Sequence, residues 1–241
     1  MLQNTKDLIG YKLAASDGGI GHIQDFYFDD KSWAVRYVVA DTGGWLTGRM
    51  VLLAPRSFGR LELDGKSLCV NLTRKQIEAS PPIKSHRPVS RQYEEQYYGY
   101  YGWPGYWDGG GMLGVAGFDA TVPPPVPEKP HHGHNQRDDL HLRSAKSVTG
   151  HHIEATDGMI GSVSSFMVDD KSWAIRELVV ETGHWYAGKE IRITPEKVTR
   201  ISYEESKVFV NLTKADIERT AEDHLAHAGA GQRGAETFPT E

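Results

Sequence analysis

Asp29 and Asp30 stand side by side in the octet DDKSWAVR, and Asp169 and Asp170 recur in DDKSWAIR, 140 positions later. Adjacent carboxylates are raw material for a general acid–base pair or for a hard-cation site. Lysine and serine follow them in both octets, and aspartate is favoured at turns because its side chain bonds its own backbone. The spacing reads as a solvated hairpin turn. Trp33 and Trp173 come next and read as core or barrel-plug residues, since aromatic rings dominate burial. Arg36 and Arg176 each fall mid-strand among apolar residues. A buried guanidinium needs a carboxylate partner. Asp17 or Asp25 is expected to supply it for Arg36, and Asp157, the counterpart of Asp17, for Arg176.

Other residues with chemical potential read more plainly. His131, His132, His134, His141, His151 and His152 lie within 22 positions, mostly in a proline-rich stretch. A metal centre needs fixed ligand geometry and outer-shell support, so these histidines read as a solvated linker with no metal site. Cys69 lies mid-strand opposite Phe209 of the second octet's repeat, which predicts an inert core thiol. No CxxC or HExxH occurs, and GGGMLG at 109–114 lacks the strand and lysine of a phosphate loop. No catalytic residue and no cofactor are predicted.

The aromatic segment carries the strongest functional signal. Tyr93, Tyr97, Tyr98, Tyr100, Tyr101, Trp103, Tyr106 and Trp107 fall within 15 residues. A helix near 91–101, capped by Ser90, would put Tyr93, Tyr97, Tyr100 and Tyr101 on one face. Such a stripe should be covered, by one of the repeats or by a partner. Tyr97, Tyr101, Trp103 and Trp107 are therefore candidate interface residues. Trp45 and Trp185, at matching loop positions, join them. Met50 and Leu52 do so because their counterparts Glu190 and Arg192 are charged, as Glu177 is opposite Tyr37.

The elements that hold these residues come from an internal repeat. Residues 8–78 align with 148–218 without a gap, and about 27 of roughly 71 pairs are identical. Two copies of one domain follow, not a solenoid of many short units. WAVRYVVADTG and WAIRELVVETG have β-branched, alternating strand character, with Trp33, Val35, Tyr37 and Val39 on one face. VLLAP and IRITP end at prolines that cannot donate to a ladder. Leu68, Val70 and Leu72 define another strand face. Thr73 with Gln76 makes a capping box for a short helix, and Thr213 with Asp216 approximates it. About six strands in roughly 70 residues bury little as one open sheet, so an all-β pair of closed or nearly closed barrels is expected. The boundaries read as 1–80 and 141–220, with an aromatic, glycine- and proline/histidine-rich linker at 81–140 and a disordered tail at 221–241. Within the linker, protection from hydrogen exchange is expected over 91–101 and none over 122–139.

These residues resemble the PRC-barrel family. The match rests on Asp17-Gly18-x-x-Gly21, Asp29-Asp30-x-x-Trp33, Arg36, Thr42-Gly43 and the VNLT ending, with their counterparts, over nearly all of both copies. The family includes the cytoplasmic barrel of the photosynthetic reaction-centre H subunit and the C-terminal domain of a ribosome-maturation protein. The resemblance implies a non-enzymatic scaffold or adaptor that binds protein, with an RNA- or ribosome-associated adaptor as the other reading.

Composition bears on both. A net charge of -5 and a pI near 6.1 disfavour nucleic acid as partner. One cysteine excludes an internal disulfide and fits a reducing compartment. Residues 1–19 lack the apolar core of a signal peptide, and no run approaches a spanning helix. A cytoplasmic location is expected. An unnamed protein partner, peripheral membrane contact and homo-oligomerisation stay open.

Overall fold

The computed structural model describes residues 1–46, 48–81, 91–105, 141–183 and 188–219. They form a mostly β protein with two seven-stranded sheets. The strands of the first repeat are β1 (Leu2–Asn4), β2 (Lys12–Ala15), β3 (Gly18–Asp29), β4 (Ala34–Asp41), β5 (Met50–Leu53), β6 (Phe58–Glu62) and β7 (Ser67–Val70). Those of the second are β8 (Leu142–Ser144), β9 (His152–Ala155), β10 (Gly158–Asp169), β11 (Ile175–Thr182), β12 (Glu190–Ile193), β13 (Val198–Ser202) and β14 (Lys207–Val210). Among the described residues five α-helices accompany them, α1 (Thr5–Leu8), α2 (Arg74–Glu78), α3 (Arg91–Tyr101), α4 (Ala145–Val148) and α5 (214–219).

Each sheet follows the same path. One runs β5-β4-β3-β2-β7-β6 and the other β12-β11-β10-β9-β14-β13. β2 joins β7 in parallel, as β9 joins β14, whereas the hairpin neighbours β2–β3 and β13–β14 are antiparallel. The seventh strand of each sheet comes from the other repeat. β1 pairs with β10 in the register Leu2↔Asp169, Gln3↔Val168 and Asn4↔Met167, while β8 pairs with β3. The compact units accordingly differ from the repeats. One comprises the described parts of Met1–Leu8, Asp30–Val35 and Ser144–Glu241, the other those of Ile9–Asp29 and Arg36–Arg143.

β10 shows why there is room for a foreign strand. Its first half pairs with β9 through Ser162, and most of its length pairs with β11. Beyond Ser162 the β9 side of β10 would be an open edge, and an open edge invites pairing. β1 fills it. The Thr5 hydroxyl then accepts the Phe166 amide at 3.1 Å, fixing α1 beside the same strand.

The Ile-Gly pairs of the repeat mark a backbone crossing. A Cβ on Gly21 would stand 1.9 Å from the Asp41 carbonyl oxygen, and one on Gly161 2.1 Å from that of Glu181. Only glycine lets the bent β3 and β10 approach the ends of β4 and β11 so closely.

The predicted caps are present. Thr73 and Gln76 bond each other's backbone amides around α2, and Thr213 and Asp216 do the same around α5. Leu68, Val70 and Leu72 are buried as predicted, but Cys69, on the opposite side of β7, is only half-buried. Among the described residues no helix is long and apolar enough to cross a membrane.

Candidate functional site

The octets are turns. In the second, the Asp169 carboxylate accepts the Lys171 amide at 3.2 Å and the Ser172 amide and hydroxyl at 2.8 Å each. These bonds, the Ser172 amide foremost, hold its carboxyl below the usual range. The Trp173 amide bonds the Asp169 carbonyl, which closes the turn. Trp33 and Trp173 occupy the left-handed region, with φ of 52° and 56°, a conformation disfavoured for bulky residues. The geometry turns each tryptophan carbonyl toward the other octet. Val35 donates to the Trp173 oxygen at 2.8 Å, Ile175 donates to the Trp33 oxygen at 2.7 Å, and Ala34 and Ala174 form an antiparallel bridge between them. The repeated octet is thus a self-pairing turn. Trp173 is buried as expected, but Trp33 is only half-buried and lies outside β4.

The expectation for Arg176 needs correction, and Arg36 has a carboxylate beside it that spacing did not single out. Arg36 Nη2 lies 3.9 Å from Asp29. Asp17 is engaged elsewhere, its Oδ1 accepting the Arg74 amide at 2.7 Å. Asp157 accepts the Lys214 amide in the same way, at 3.0 Å. Both Asp-Gly turns therefore fasten the first amide of a short helix, one of the donors a helix leaves orphaned. Arg176 is exposed, so the buried pair expected with Asp157 does not form. Sequence spacing identified the aspartates as special but could not show that a helix start from 57 residues away arrives beside them.

The aromatic segment docks on the sheet of the first repeat. Tyr97 and Tyr98 are buried with Tyr37, Val39, Leu52, Ala54 and Leu142, and Met50, Tyr93, Tyr101 and Trp103 pack around them. The face differs from the expected one, since Tyr100 is 41% exposed and Tyr98 takes its place. Tyr97 meets Tyr37 edge-on at 5.5 Å, and Tyr101 stacks on Trp103 at 4.5 Å. The hydroxyls explain why tyrosine is used. Tyr97 accepts the Ala54 amide and donates to the Leu52 carbonyl, each at 3.1 Å, and so caps the β5 edge. Tyr37 donates to Glu94 at 2.9 Å, in full burial. Tyr93 donates to the Pro81 carbonyl and Tyr100 to the Gln76 carbonyl, at 2.8 and 2.9 Å. Burial pushes the Tyr98 and Tyr101 hydroxyls up to about 12, and that of Tyr97 well above its ordinary value. All remain proton donors at neutral pH.

The interface candidates thus divide. Tyr97, Tyr101, Trp103, Met50 and Leu52 form an internal contact. In the second repeat, Glu177 and Arg192 make an ion pair at 3.1 Å and Glu190 is exposed. Trp45 is half-buried under Arg74, whose Cζ lies 4.6 Å from the ring centroid, a cation–π contact. Its loop is closed by the buried Thr42 hydroxyl donating to the Arg49 carbonyl at 2.6 Å, with the Thr182–Lys189 equivalent at 2.7 Å. Arg49 Nη1 donates to the Glu78 carbonyl at 2.9 Å, and Nη2 bonds the Ser80 carbonyl. Sequence reading missed Arg49, whose loop position carries no visible link to the end of α2.

Ser90, Tyr106, Trp107, the linker histidines at 131, 132 and 134, Trp185, the 122–139 stretch and the 221–241 tail lie outside the described residues. Among the described residues, no group of three or more histidines, cysteines or carboxylates is placed to hold a metal ion. Compared with models of known protein families and with curated proteins, the chain matches none.

Proposed function

We propose that the protein is a non-enzymatic adaptor made of two PRC-type barrels, each sheet closing around its apolar face, and that it binds a protein partner in the cytoplasm. The observation that carries this reading is the structural employment of the side chains with chemical potential. Asp169 organises a turn, Asp17 and Asp157 fasten helix starts, and Arg36 pairs with Asp29. The tyrosines of α3 bond backbone at a sheet edge and at the end of α2. With that helix occupied internally, the contact surface we assign is the loop carrying Trp45, where a large ring stays partly exposed beside Arg74. Tryptophan and arginine are the residues that dominate protein interfaces.

The test is affinity capture on the full chain and on Trp45→Ala, in native extract with and without nuclease. Salt is set at about 50 and then about 200 mM, a range over which phosphate-dependent binding falls by roughly 10³–10⁵. A stoichiometric protein retained at both salts, insensitive to nuclease and lost with Trp45→Ala, is the expected result. Capture that needs RNA and collapses with salt would replace this reading by an RNA-associated adaptor. Turnover by the purified protein, abolished by one substitution, would overturn it.

A further inference from the structure

The exchange of first strands suggests a partner beyond the adaptor reading and independent of it. Residues 1–8 belong to one compact unit and the chain continues in the other from Ile9. The crossing is made at Ile9-Gly10, where Ile9 is 45% exposed and Gly10 has a φ of 84°. Gly10 turns the chain after α1, and an exchange would use this joint as its hinge by releasing the bond that the Gly10 amide donates to the Ile23 carbonyl at 2.8 Å. Gly150, its counterpart, has a φ of 88°.

The surfaces that meet beyond the hinge do not record which chain they come from. β1 meets β10 through a backbone ladder, which any copy of β1 satisfies equally. We infer that two copies of this chain exchange the β1–α1 segment, so that β1 of each chain completes the β10 edge of the other. Exchange of identical elements about a hinge is a low-cost route to a dimer. The covalent continuity of the chain opposes it, because a tether sets an effective concentration on the order of millimolar. The closed monomer therefore dominates in dilute solution, and the exchanged dimer grows with chain concentration.

The test uses full-length chains in a Cys69→Ser background. One carries Asn4→Cys and an affinity tag, the other Met167→Cys, positions that face each other across the ladder. The two are unfolded, mixed, refolded at increasing concentration and oxidised, and the disulfide-linked peptides are identified by mass spectrometry. A third chain carries both substitutions. The expected result is an intrachain bond in the double variant and, between the single variants, a mixed disulfide that joins the two introduced thiols. The mixed bond should rise about tenfold for each tenfold increase in dilute chain concentration. The unsubstituted chain refolded in the same way should show a dimer by native mass spectrometry. An intrachain bond without any mixed bond overturns the inference. Failure of the double variant to crosslink overturns it too, because the β1–β10 pairing itself would be wrong.

Discussion

Single hydroxyl groups decide whether α3 is held or loose. Tyr97 satisfies the Ala54 amide, buried at 1% exposure, and the Leu52 carbonyl. Tyr97→Phe keeps the ring and strands that amide, so it should cost about 1–3 kcal/mol in urea unfolding. Tyr100→Phe removes an exposed bond to Gln76 and should cost less than about 1 kcal/mol. The raised tyrosine values also set an alkaline limit. A proton held more tightly in the folded state contributes stability that is complete below the unfolded value of about 10 and lost as pH rises through the folded value. Stability should therefore begin to fall above about pH 10, with the contribution of Tyr98 and Tyr101 spent near 12. Tyrosinate absorbance should rise in step with unfolding. A smooth titration of all tyrosines near the ordinary value, with the fold intact, would refute the burial. Glycine gives a third contrast. Gly21→Ala drives a methyl into the Asp41 carbonyl and should cost more than about 3 kcal/mol. Gly19→Ala, with nothing within 4 Å, should be tolerated in thermal unfolding.

The strands and their caps show what could be read in advance and what could not. The two VNLT endings, the Thr73–Gln76 box and the proline-ended strands were legible because turn and cap chemistry is local. Helix α3 was legible from aromatic spacing, but its buried face takes Tyr98 where Tyr100 was expected. Spacing cannot tell which side meets a sheet whose Leu52 and Val39 are far away in sequence. The approach of Asp29 to Arg36 and the helix start held by Asp17 were missed for the same reason. Divergence between the repeats was informative, since Leu52 is 1% exposed under α3 and its counterpart Arg192 is solvated. Leu52→Glu should release α3, with loss of hydrogen-exchange protection over 93–101 and about 2–5 kcal/mol of stability. Arg192→Glu should leave β12 protected and cost less than about 1 kcal/mol. Equal effects would mean that α3 does not depend on this face.

At the level of the whole molecule, repeat boundaries and folding boundaries separate. Nothing in residues 1–8 says which of two similar sheets they join, because a three-residue strand carries almost no pattern of its own. The assignment is made by the vacant stretch of β10. Gln3→Pro, which cannot join a ladder, should therefore weaken the second repeat more than the first. Hydrogen-exchange protection should drop over 166–169 and persist over 22–29. Loss confined to the first repeat would reassign β1 to β3.

The exchanged strand also imposes an order in time. Thr5 bonds Phe166 across a separation of 161 residues. At roughly 5–20 residues per second of synthesis, the first strand waits on the order of 8–30 s for its partner to leave the ribosome. The second repeat meets no such delay, since β3 is complete before β8 emerges. The nascent chain thus carries an unpaired strand through the synthesis of the whole first repeat and the linker. Slowing elongation across the linker should lengthen that interval, and with it the window in which a neighbouring nascent chain can capture the segment.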